Sequence, residues 1–272
     1  MRIAWLMLCL PFGAMGAPLQ RFDGTATTSD GRIAYREVHW QRGTGDGAER
    51  WVQYECPDGR PFARKQMPAS ALTQVRGYGW EDRRSGQAAS INAAGGTVRI
   101  SWKEDASANV RASRIPLPSD AVIDTGFDAA VRNHWAALMR GERLSLSFLV
   151  PGRQRFYPVQ VHRRNPVRWQ GIPAQSIEVK LDTWYGVVAQ RLSLVYADAD
   201  RRLLEFRGPS NLRNAQGGYP MVTVRFTEAA SARSAQEWQQ AWGRPLVDRC
   251  AATGSASARK AAAGASIAGF GP

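Results

Sequence analysis

The sequence predicts a mainly β protein, an antiparallel meander that carries one principal amphipathic helix and a short C-terminal helix. Three observations predict it. Apolar residues recur with a period of two along much of the chain, clusters of glycine, proline and aspartate separate those runs, and only two segments carry helix signals.

The alternation is explicit from the second quarter of the chain onward. Val98, Ile100 and Trp102 interleave with Arg99 and Ser101, and Leu144, Leu146, Phe148 and Val150 enclose Ser145 and Ser147. Ile177, Val179 and Leu181 alternate with Glu178 and Lys180, and Val222, Val224 and Phe226 enclose Thr223 and Arg225. Successive side chains of a strand point to opposite faces, so each run buries one face and turns the other toward water or a cavity. The connections read as hairpins. Gly43-Thr44-Gly45-Asp46-Gly47 joins the run Ile33 to Gln41 to the run Trp51 to Cys56, and Pro57-Asp58-Gly59 turns that into Phe62 to Met67. Ala197-Asp198-Ala199-Asp200 links Leu192 to Tyr196 with Leu203 to Phe206.

The principal helix is expected from Thr125 to Arg140, capped by Asp124 or Thr125 and stopped at Gly141, with Phe127, Val131, His134, Trp135 and Leu138 in one stripe. The shorter one begins at the capping box Ser234 to Glu237 and places Trp238 and Trp242 four apart on one face. Each needs a sheet to cover. Phe127, Val131, Trp135 and Leu138 are expected to pack on the concave face of that sheet as a plug or lid.

The first residues predict export. Arg2 precedes an apolar run from Ile3 to Phe12, followed by the small residues Gly13, Ala14, Gly16 and Ala17. That pattern is a secretory signal peptide, residues 1–16, with cleavage after Gly16. Cys9 lies inside the apolar run and does not mark a lipid anchor. No later segment is apolar over the roughly 20 residues a membrane helix needs, so no transmembrane segment is expected in the mature chain. Residues 17–250 are expected to form a single mainly β domain. Residues 251–272, rich in Ala, Gly and Ser and lacking apolar periodicity, are expected to be a disordered tail.

Two cysteines remain after the signal, Cys56 and Cys250. In an oxidising compartment such a pair predicts a disulfide, with two separately buried thiols as the alternative. A bridge would fasten the segment after the second helix to the first hairpins.

The formal charge of +13 comes from arginines spread along the chain, with only four lysines, Lys65, Lys103, Lys180 and Lys260. Export argues against a nucleic-acid partner. Anionic lipid, lipopolysaccharide or an acidic envelope polymer fits the charge, beside the plainer reading of a solvated basic surface.

Catalytic patterns are missing. His39, His134 and His162 have no metal-ligand spacing to one another or to a cysteine, and no metal or other cofactor is expected. His134 falls in the helix stripe as an interface residue, and His162 alternates outward from Val159 and Val161. There is no Gly-x-Ser-x-Gly elbow. Ser257 to Lys260 spells Ser-x-x-Lys inside the tail, and Gly43, Gly45 and Gly47 precede a hairpin, not the helix a phosphate loop requires. The pairs Glu81-Asp82, Glu104-Asp105 and Asp198/Asp200 read as solvated turn residues. Aromatics are abundant, with ten tryptophans and nine phenylalanines, so many must lie on sheet faces as core or as cavity walls.

Several segments carry a family resemblance: Ile33-Ala34-Tyr35-Arg36-Glu37, Tyr54 through Lys65, Gly126-Phe127-Asp128 through Trp135, Leu149-Val150-Pro151, and Arg202 through Leu212. They resemble those of uncharacterised exported proteins of proteobacteria over most of residues 20 to 228, and none of these motifs has a known chemical role to carry over. The second half is also similar, more weakly, to half-barrel periplasmic domains like those of lipoprotein carriers. That resemblance implies a curved half-barrel sheet around an apolar concavity covered by helices. The leading reading of function is a periplasmic binding or carrier module for a lipid or other apolar ligand. The rival is a structural or envelope-assembly protein without a cavity, contacting acidic envelope polymers or a protein partner, and an enzyme stands third. A continuous apolar pocket favours the first and a filled interior the second.

Overall fold

The structure is a computed structural model and describes residues 17–181, 191–214 and 216–251. The expected signal peptide with its cleavage site, residues 252–272 of the expected tail and the Ser257 to Lys260 motif lie outside the described residues.

The first half of the chain forms β1 (Leu19–Thr28), β2 (Ile33–Arg42), β3 (Glu49–Glu55), β4 (Pro61–Met67), β5 (Tyr78–Asp82), β6 (Gln87–Ala94), β7 (Thr97–Lys103) and β8 (Arg111–Pro116). After the short β9 (Ala121–Val122) come α1 (Gly126–Asn133) and α2 (Trp135–Met139), then β10 (Leu144–Val150), β11 (Arg155–Trp169), β12 (Ile172–Leu181), β13 (Arg191–Ala197), β14 (Leu203–Pro209) and β15 (Met221–Arg225). The short β16 (Ser231–Ala232) and α3 (Ala235–Gly243) follow.

All these strands belong to one curved sheet, in the order β8-β7-β6-β5-β4-β3-β2-β1-β15-β14-β13-β12-β11-β10-β9, with β16 beside β1. It consists of two hairpin meanders stitched together by one long-range pair, in which Thr25 to Thr28 of β1 run antiparallel to Arg225 to Val222 of β15. Every pairing is antiparallel except β9 with β10. The turns anticipated at Gly43 to Gly47, Pro57 to Gly59 and Ala197 to Asp200 connect β2 to β3, β3 to β4 and β13 to β14.

The concave side holds two apolar clusters. Tyr35, Val52, Tyr54, Tyr78, Trp80, Ile91, Val98, Ile100 and Trp102 fill the first meander. Leu146, Val159, Val161, Ile177, Val179, Leu194 and Tyr196 form the second with Val131, Trp135 and Leu138 of the helices, Phe127 packing at its margin. The expected single helix is therefore two. His134, at φ −102° and ψ 17°, leaves the helical basin, and its ring Nδ1 donates to the Ala130 carbonyl at 3.0 Å, the same oxygen its backbone N–H reaches at 3.1 Å. Side chain and backbone thus share one acceptor and the chain turns there, setting Trp135 edge-on to Tyr196 at 6.1 Å. Neither expected cap makes a side-chain capping bond. Thr125 occupies the cap position, but its hydroxyl meets the Met67 sulfur at 3.1 Å, and Asp124 is engaged elsewhere. Arg132 ties α1 to the β2–β3 turn through Asp46 at 2.6 Å and also holds Asp128 at 2.5 Å.

On the convex side α3 opens with the anticipated capping box, Ser234 and Glu237 bonding reciprocally. Trp238 and Trp242 meet Trp51 edge-on at 5.6 and 5.4 Å, and Trp51 stacks on Trp40 at 5.5 Å. Beyond α3, Cys250 is bonded to Cys56, their Cα atoms 5.4 Å apart. Cys56 shares the inner face with Val52 and Tyr54.

Candidate functional site

The inner face of the first meander presents one cross-strand row. Lys65 of β4 lies opposite Trp80 of β5, Trp80 opposite Ala89 of β6, Ala89 opposite Trp102 of β7, and Trp102 opposite Arg111 of β8. Antiparallel pairing puts directly opposed side chains on one face within contact, so alternation in five separate strands builds a single aromatic wall with a cation at each end. The other edge of the sheet closes toward this wall. The turn Pro151–Arg153 between β10 and β11 lies against β7, and the Arg111 Nη2 donates to the Gly152 carbonyl at 2.8 Å. The approach is close: a Cβ on Gly152 would stand 3.2 Å from Trp102 Cζ2, so the indole would have to give by a few tenths of an ångström.

Between wall and turn is a cavity of about 730 Å³, lined by Tyr78, Trp80, Trp102, Phe148, Leu149 and Pro151 among others. Its volume lies within the range of roughly 300–1,000 Å³ usual for small-molecule sites, and its lining combines those aromatic and apolar side chains with the polar Lys65, Gln87, Glu104, Arg111, Asp124, Arg153 and Asn211.

At its floor Lys65, 5% exposed, donates to Asp124 Oδ1 at 2.6 Å. Lys65 Nζ also stands over the rings of Tyr78 and Trp80 at 5.3 and 5.6 Å. Burial disfavours its ammonium, but the Asp124 carboxylate and the surrounding acceptors outweigh that and hold Lys65 above the ordinary lysine range. Burial raises the Tyr78 phenol beside it, keeping it neutral. Asp124 takes a left-handed conformation, φ 48°, which aspartate tolerates better than most residues and which turns its carboxylate toward Lys65.

A chain of hydrogen bonds covers the other end. Trp80 Nε1 donates to Gln87 Oε1 at 3.1 Å, and Gln87 Nε2 donates to the Tyr219 hydroxyl at 2.9 Å. Arg213 reaches that hydroxyl at 3.3 Å and forms a short ion pair with Glu104, which accepts the Trp102 indole N–H at 2.7 Å. The β14–β15 connection is thereby tied across the aromatic wall.

Of the residues singled out in the sequence, Val131, Trp135 and Leu138 fill the second half of the concave face and Phe127 lies at their edge; none of them lines the cavity. The cavity lies beside the helices. Cys56 and Cys250 are joined away from it. The histidines are separate: His39 stacks on Phe22 and meets Glu37 at 2.9 Å, His134 bonds Ala130, and His162, half-buried, faces Glu178 at 3.5 Å. Glu104, expected to be a solvated turn carboxylate, is paired with Arg213. Lys65, Asp124, Gln87 and Tyr219 were not legible as site residues. A lysine alternating inward in the run Phe62 to Met67 was the one available signal.

Fold and site together define a class: a curved open sheet whose concave side is filled by helices in one half and left as an aromatic cavity in the other. No family model matches the sequence, and no curated protein matches it. Among solved structures the chain is similar to a beta-barrel-like protein of a domain of unknown function from Brucella abortus, at 8% identity over 80% of this chain and 98% of that one, with a TM-score of 0.42. It is also similar to a domain named for outer membrane lipoprotein sorting from Vibrio parahaemolyticus, at 8% identity over 85% of this chain and 92% of that one, with a TM-score of 0.27.

Proposed function

We propose that this protein is an exported binding or carrier module that takes a lipid or other apolar ligand into the aromatic cavity. The observation that carries the reading is the cavity itself, about 730 Å³ between the Trp80 and Trp102 wall and the Pro151–Arg153 turn. A half-barrel serving only as a structural element gains nothing from leaving large apolar side chains around open space, because unfilled volume forfeits dispersion contacts. The half beneath α1 and α2 is filled, as the structural reading expects of the whole, and the open half is why binding is preferred. The disulfide supports export. No helix among the described residues is long and apolar enough to cross a membrane.

Native mass spectrometry and lipid extraction of protein purified from the periplasm test the proposal. An apolar molecule is expected to co-purify, and the delipidated protein is expected to enhance the emission of a neutral apolar fluorophore. Protein that carries no lipid and binds no such fluorophore would refute the binding reading.

A further inference from the structure

The polar groups around the cavity are unequally spent. Asp124 Oδ1 accepts from Lys65, and Glu104 accepts from Arg213 and from the Trp102 indole while standing 3.6 Å from Arg111. Asp124 Oδ2 has no hydrogen-bond partner among the described residues and is sealed from solvent. The cations at the mouth are differently placed. Arg111, with 51% of its side chain exposed, gives one N–H to Gly152 and keeps others free. Arg153 lines the cavity, is exposed, and has no ion pair among the described residues. One carboxylate, Glu104, thus serves a mouth carrying Arg111 and Arg153 with Arg213 behind it.

We infer that the cavity takes an amphiphile with an anionic head, its apolar chain against Trp80, Trp102 and Phe148 and its oxyanion at the mouth between Arg111 and Arg153. The inference rests on the binding reading above and names the ligand class. A cationic head would meet guanidinium groups that the shared Glu104 carboxylate compensates only in part, and a neutral head would leave their excess charge unanswered. A carboxylate or phosphate gains charge-assisted, fork-shaped hydrogen bonds. The floor is the poorer place for the head. Lys65 is already neutralised by Asp124 at 2.6 Å, and a second anion there would compete with that carboxylate.

The test uses the full mature chain, delipidated, with N-phenylnaphthylamine as a neutral reporter displaced by four ligands of equal chain length: hexadecanoate, hexadecyl phosphate, hexadecanol and hexadecyltrimethylammonium. Both anions are expected to displace the reporter about tenfold more tightly than the alcohol, the scale of hydrogen bonds to charged groups. Added salt should narrow the gap because the arginines are exposed. Whichever anion binds tighter identifies a carboxylate or a phosphate source. In the double variant Arg111→Gln/Arg153→Gln the ratio of anion to alcohol affinity should fall toward one. Both side chains lie outside the core, and thermal unfolding checks the fold; if the double variant unfolds, Arg153→Gln alone carries the test. Equal or tighter binding of the alcohol or the ammonium would overturn the inference and leave the binding reading standing. So would a gap that survives the arginine substitutions, or one abolished instead by Lys65→Met. Failure of the reporter itself to bind would remove both.

Discussion

Lys65 and Asp124 form a buried ion pair whose worth depends on both members being present. Removing one partner leaves the other charge desolvated, typically at a cost of about 3–5 kcal/mol. Asp124→Asn retains tolerance for the positive φ and removes only the charge, so denaturant unfolding at neutral pH should show a loss toward the lower end of that range. The pH dependence has a definite sign. Lys65 is raised in the folded state, so its contribution is complete below the unfolded lysine value of about 10.4 and is lost as pH rises through the higher folded value. Without Asp124 burial lowers the folded Lys65 value, so the stability difference between wild type and Asp124→Asn should shrink as pH rises from the variant's lowered value toward the raised wild-type one. Gly126 is constrained by space. A Cβ there would stand 2.2 Å from the Gln74 carbonyl oxygen, which also accepts the Ile123 N–H at 2.9 Å. Gly126→Ala must displace backbone on one side or the other and should lower stability by about 1–3 kcal/mol in thermal unfolding, despite alanine's better helix propensity.

At the scale of elements, the two helical regions are held on opposite faces by different means. The α1–α2 pair is buried within the concave side, where Trp135, 8% exposed, contacts the Tyr196 ring. α3 lies outside and is held by Trp238 and Trp242 on Trp51, with Arg42 and Arg64 stacked over those indoles at 4.6 and 4.5 Å. Trp135→Ala should cost about 3–5 kcal/mol in global unfolding, since the cavity it leaves is walled by sheet on one side and helix on the other. Trp238→Ala acts on an element at the margin. Hydrogen exchange should show α3 amides losing protection while those of β10–β13 keep theirs, the pattern of local opening. Uniform loss of protection across the sheet would show that α3 and the sheet unfold as one unit.

For the whole molecule, continuity depends on contacts distant in sequence. The β1–β15 pair joins the two meanders, and Cys56–Cys250, separated by 194 positions, anchors the chain after α3 to the end of β3. A crosslink over so long a loop restricts the unfolded ensemble, by up to about 5 kcal/mol in the chain-entropy treatment, although real gains are often smaller. Reduction, or the variant Cys56→Ser/Cys250→Ser, should lower the denaturation midpoint and leave the circular dichroism of the sheet intact at moderate temperature. Two alkylatable thiols in protein taken from an oxidising compartment would contradict the bridge.

The sequence by itself determined β2, β3, β4, β7, β10, β12, β13, β14 and β15, the turns at Gly43 to Gly47 and Pro57 to Gly59, and the capping box of α3, because each is written in neighbouring residues, whereas β1, β5, β6 and β8 were not marked out by alternation. Alternation, turn chemistry and capping act over two to five positions, and Cys56 was placed on the inner face by its parity with Val52 and Tyr54. The stripe from Phe127 to Leu138 was legible as apolar surface, but its break was not, because it depends on His134 sharing the Ala130 carbonyl. Only the tertiary structure decided the rest. The β1–β15 pairing has no local signal, since any strand edge offers the same backbone donors and acceptors. The cavity is a property of register: Lys65, Trp80, Trp102 and Arg111 fall in one row because four successive hairpins bring them opposite one another. Asp124 reads as a helix cap until the fold carries α1 across to β4, where the buried Lys65 ammonium requires a counter-charge.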